Sequence, residues 1–138
     1  MFLVACAHDE VGAGLRLQKV AVDAADVAFA VWYKAQSQKA IDAAKGLADA
    51  NERKATYEAA MARAAAAYEQ WRAALGQVQV AQRVAYTVYV TGSKTDVLAS
   101  LKKLREVVEE LLAIGKAAGF DPPLEIREAL ALLKAVGG

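Results

Sequence analysis

Along residues 57–89 the positions that would face a neighbour recur at alternating steps of four and three: Tyr57, Met61, Ala64, Tyr68, Trp71, Leu75, Val78, Gln82, Ala85 and Tyr89. That alternation, held for more than four repeats, is the signature of a helix packed against another helix. Only Gln82 departs from its apolar character, while Glu58, Arg63, Glu69 and Arg72 fall on the intervening, wet face.

A second helical stretch precedes it. Val20, Val27, Val31, Trp32, Ile41 and Leu47 share a broad side, although Lys34, Gln38 and Lys45 intrude on a strict heptad. Between the stretches, Gly46 suits a helix C-terminus and Asp49 an N-cap, with Glu52 three positions later as in a capping box. Folding back near Asn51 makes partners of Ile41 and Met61, of Val27 and Leu75, and of Trp32 and Trp71. The sequence thus predicts an antiparallel hairpin of about 15–47 and 50–91. Its seam is Tyr57, Met61, Tyr68, Trp71, Leu75 and Val78 against Val27, Trp32 and Ile41. One unbroken helix of about 75 residues, roughly 110 Å long, competes with it. Such a rod would need a partner chain to cover its stripe.

Residues 84–91 are rich in β-branched and aromatic side chains and could form a strand. No second strand-like run exists to pair with them, so they are read as the last turns of the second helix. Gly92 ends that helix, and Ser93 caps a third over about 95–118, whose apolar face runs from Val97 to Ile114. Gly119 is its C-terminal glycine. Asp121 caps a short fourth helix over about 122–136, with Pro122 and Pro123 in the first turn. The fold class is all-α and bundle-like. Residues 1–14 form an N-terminal segment and 15–138 a single helical domain.

Composition agrees. Alanine accounts for 33 of 138 residues, against 2 Pro and 9 Gly, and alanine loses no side-chain entropy in a helix. Charge is balanced, with 17 Lys and Arg, 16 Asp and Glu, and a net of +1. No segment holds the concentrated basic face that nucleic-acid binding needs. One Cys and one His exclude a disulfide framework and a multi-cysteine metal cluster. No phosphate loop, nucleophile elbow or Glu-x-x-His pair is present. Glu106, Glu109 and Glu110 stand one turn from Lys102, Lys103 and Arg105, as helical ion pairs do. Neither enzyme activity nor a cofactor, a metal or a small-molecule substrate is expected.

The N-terminal Leu3-Val4-Ala5-Cys6 resembles the lipobox of bacterial lipoproteins: an aliphatic residue, a tolerant position, a small residue and the cysteine that is lipidated. Only five residues precede Cys6 and none is basic, unlike a whole secretory signal. The resemblance implies a lipid on Cys6 and a place on the periplasmic side of a membrane. Ala7 lacks the aspartate that in that family retains proteins at the inner membrane. The alternative is that Phe2, Leu3, Val4 and Cys6 pack an apolar N-terminus onto the bundle of a cytoplasmic protein.

The function expected is that of a non-enzymatic structural or interaction protein, envelope-anchored, acting through helix–helix association with a protein partner or with itself. A cytosolic or virion-borne helical assembly factor is the alternative. Less favoured is a small-ligand carrier whose bundle cavity is lined by aromatic residues.

Overall fold

The computed structural model describes residues 2–137, with side chains described for 10–135. Four helices follow one another: α1 (Phe2–Lys45), α2 (Ala50–Thr91), α3 (Lys94–Ala118) and α4 (Leu124–Gly137). No strand occurs among the described residues, and 84–91 complete α2 as helix. Helix α1 is longer than its spacing suggested, since its backbone is already helical at Phe2 and not first near residue 15.

The hairpin is formed, and its turn is small. Leu47 donates from its backbone to Ala44 O, and the Asp49 carboxylate accepts the Asn51 N–H at 3.2 Å. Arg53 reaches back to the Leu47 and Ala48 carbonyls at 2.8 and 2.7 Å. One guanidinium thus satisfies two carbonyls that the turn leaves without helical partners. Residue 51 of the expected turn lies in the first turn of α2.

Two residues separate α2 from α3. Ser93 Oγ accepts the Asp96 N–H and donates to the Asp96 carboxylate at 2.9 Å, so the new helix starts at once. Helix α3 runs back along α2 until Arg63 donates to Ala117 O at 2.6 Å. Gly119, at φ 95°, ends it in the left-handed conformation that glycine adopts without a Cβ clash. The Phe120 N–H then closes on Gly115 O. The fourth helix departs from expectation in one detail. Pro122 and Pro123 precede it, the Pro123 carbonyl accepts from Ile126, and Asp121 pairs with Arg127 at 2.9 Å.

Neighbours in the bundle are α1 with α2, α2 with α3, α3 with α4, and α4 with α1. The core they enclose includes Leu15, Val22, Phe29, Trp71, Val78, Leu101, Leu104, Leu111, Phe120, Ile126 and Leu133. Beyond Arg63 the two long helices continue alone. There a separate small cluster of Ala40, Met61 and Ala64, flanked by Trp32, Tyr33 and Tyr57, holds the tip of the hairpin. From Tyr33 to Lys45 the tip extends about 18 Å at 1.5 Å per residue.

Candidate functional site

The seam residues of α2 lie where their spacing put them. Met61, Trp71 and Val78 are buried, and Tyr57, Tyr68 and Leu75 are half-buried. On α1 two of the three expected partners do not. Val27 is 65% exposed and Ile41 46% exposed. Only Trp32 packs inward. The inner face of α1 is instead Val11, Leu15, Gln18, Val22, Ala25, Phe29 and Trp32, itself at steps of four and three. The register changes with it: Trp71 stacks on Phe29, with centroids 4.3 Å apart and planes 1° apart.

Phe120 stands edge-on to both rings, at 5.4 and 5.6 Å, and Trp32 tilts against Phe29 at 5.2 Å. The two tryptophans therefore share Phe29 and Phe120 as common neighbours. A polar atom fixes the arrangement, since Trp71 Nε1 donates to Asp26 Oδ1 at 2.9 Å. Gly115 makes room for it: a Cβ there would meet both Trp71 and Phe120 at 3.0 Å. About three turns further along, buried Gln18 donates to Leu15 O and accepts from Gln82 Nε2 at 3.2 Å. The polar break at Gln82 is thus a cross-helix hydrogen bond. Its missing half in the sequence was Gln18.

Turning α1 over reveals its second stripe. Leu17, Val20, Ala24, Val27 and Val31 recur at steps of three and four, the same alternation as the inner face. Val20 and Val31 are each 66% exposed. Among the described residues no helix covers them. The stripe has two rims. On the α2 side Arg16, Lys19 and Asp23 of α1 share an open groove with Gln79, Arg83 and Tyr86 of α2. On the α4 side Gly14 faces Leu132, with a built Cβ 3.8 Å from it. A second open groove, between α2 and α3, is lined by Gly76, Val80, Val84, Ser100 and Val107.

Both grooves are surface furrows with no convergence of reactive groups. Among the described residues no three His, Cys, Asp or Glu side chains are placed to hold a metal ion. No described helix is long and apolar enough to cross a membrane. The side chain of Cys6, the residue of the lipobox resemblance, lies outside those described. In the acidic cluster of α3, Arg105 and Glu109 approach to 3.9 Å along the helix surface, as their spacing implied. Compared with protein families, with curated proteins and with solved structures, the chain matches none.

Proposed function

We propose that the chain is a non-enzymatic helix-association protein whose working surface is the outer stripe of α1. The observation that carries this is the second heptad on a helix whose first heptad is already occupied. Isolated apolar side chains on a surface are ordinary, but a contiguous row at coiled-coil spacing is the shape another helix fills. Nothing comparable supports a catalytic reading, because buried Gln18 and Ser100 are held in hydrogen bonds with Gln82 and Val97 O, and the charged groups of both grooves face solvent.

The test is a photo-reactive residue at position 27, with position 102 on the exposed side of α3 as control. A discrete protein adduct from 27 and none from 102 is the expected result. Equal labelling from both positions overturns the reading. Placement at a bacterial envelope through a lipid on Cys6 belongs to the same proposal and rests on Leu3-Val4-Ala5-Cys6. Incorporation of labelled fatty acid into the wild type, lost in Cys6→Ser, is its expected outcome. An unlabelled wild type makes the chain a cytosolic assembly factor.

A further inference from the structure

We propose that the outer stripe of α1 binds the same stripe of a second copy of this chain, side by side and parallel, as a two-fold dimer. This rests on the association reading above and names its partner. The spacing of Leu17, Val20, Ala24, Val27 and Val31 calls for a helix that repeats the same spacing. The stripe itself is such a helix.

What selects a second copy, and its direction, is the charge on the two rims. Glu128 and Glu125 stand four and seven residues before Leu132, on the strip of α4 that meets Gly14 of α1. They give that rim negative charge. Helix α4 runs opposite to α1, so a retreat of about 6 to 10 Å from Leu132 brings them level with the stretch from Gln18 to Ala21. On the other rim Lys19 and Asp23 pair with each other at 3.0 Å, which leaves Arg16 and Arg83 as its net charge. The bond between Gln18 and Gln82 puts Arg83 at the same height. The stripe is therefore acidic along one side and basic along the other, at one level of the helix.

A two-fold axis parallel to α1 sets the acidic rim of each copy against the basic rim of its partner, twice. An antiparallel arrangement sets acid against acid and base against base, which is repulsive. The row itself is free of charge from Leu17 to Val31, and Lys34 ends it. From Ala13 to Val31 the row is about 27 Å long. With a width of about 10 Å and both rims included, the contact falls at the small end of specific interfaces, below about 1,200 Å² in total. The dimer is accordingly concentration-dependent.

Sedimentation over a concentration series is expected to pass from the mass of one chain to that of two, with the transition moving to higher concentration in strong salt. Val20→Lys with Val27→Lys is expected to weaken dimerisation by about 100-fold or more, with the helicity and melting of the dissociated chain unchanged because both sites are exposed in it. Glu128→Arg alone is expected to weaken it about tenfold, and adding Arg16→Glu restores it. Direction is read by disulfide trapping in a Cys6→Ser background. Val27→Cys is expected to cross-link with itself. Cross-linking found only in mixtures of Val20→Cys and Val27→Cys chains means antiparallel pairing and overturns the proposal. A wild type that stays monomeric throughout the series also overturns it. Such a monomer, if it still gives a discrete adduct with a different protein from position 27, leaves the association reading standing. Without that adduct, both fall.

Discussion

The four-helix body and the two-helix tip are built from the same pair of long helices, yet they are held very differently. In the body, α3, α4 and the link between them bring Leu101, Leu104, Leu111, Phe120, Ile126 and Leu133 against α1 and α2, around a stacked Phe29–Trp71 pair. In the tip the buried side chains are one methionine and three alanines, Met61 with Ala40, Ala44 and Ala64. Around them, Tyr33 tilts against Tyr68 at 4.7 Å, and Ser37 meets the Tyr57 hydroxyl at 3.3 Å. Hydrophobic stabilisation scales with the apolar area removed from water, so the tip contributes little of its own. Its helices persist because they are continuations of helices anchored below.

Breaking the body is expected to have the largest effect. Trp71→Ala removes a buried indole together with its stacking partner's contact and is expected to cost about 3–5 kcal/mol in denaturant unfolding. Next is the tip. Met61→Ala is expected to cost about 2 kcal/mol, the low end for such truncations, because the thin surroundings can collapse. Amide exchange sharpens the contrast, with residues 37–57 expected to exchange well before residues 70–85. A third change probes how the body is specified. Asp26→Ala leaves the Trp71 N–H without its acceptor and is expected to cost about 1–2 kcal/mol, most of it recovered by Asp26→Asn. Smallest is the outer stripe. Val27→Lys is expected to change the stability of the single chain by less than about 0.5 kcal/mol. A large loss there would place Val27 in the core after all.

The same contrast explains what was legible in the sequence. The seam of α2 could be read because its large residues, Tyr57, Met61, Tyr68, Trp71 and Leu75, fall in one frame and Glu58, Arg63, Glu69 and Arg72 in the others. Helix α1 carries two heptad frames at once. The frame of Val20, Val27 and Val31 looks more apolar, since the true inner frame includes Gln18 and Ala25. Side-chain size was the better guide, because Phe29 and Trp32 both belong to the inner frame and their rings meet those of Trp71 and Phe120. A lone glutamine carries no local sign of burial, and the role of Gln18 follows only from the hairpin register that sets it beside Gln82. The caps at Asp49, Ser93 and Gly119 were legible because each depends on local geometry alone. Asp121 was not. Its carboxylate found Arg127 in the next helix in place of the backbone ahead of it.

Gly115 carries a consequence for how this sequence can drift. Two aromatic rings converge at 3.0 Å on the place where any other residue would carry its first carbon. A substitution there requires the rings of Trp71 and Phe120 to give way by a few tenths of an ångström, or a smaller side chain at 71 or at 120. Positions 71, 115 and 120 are therefore coupled by shape, so that a change at one alters what the other two tolerate.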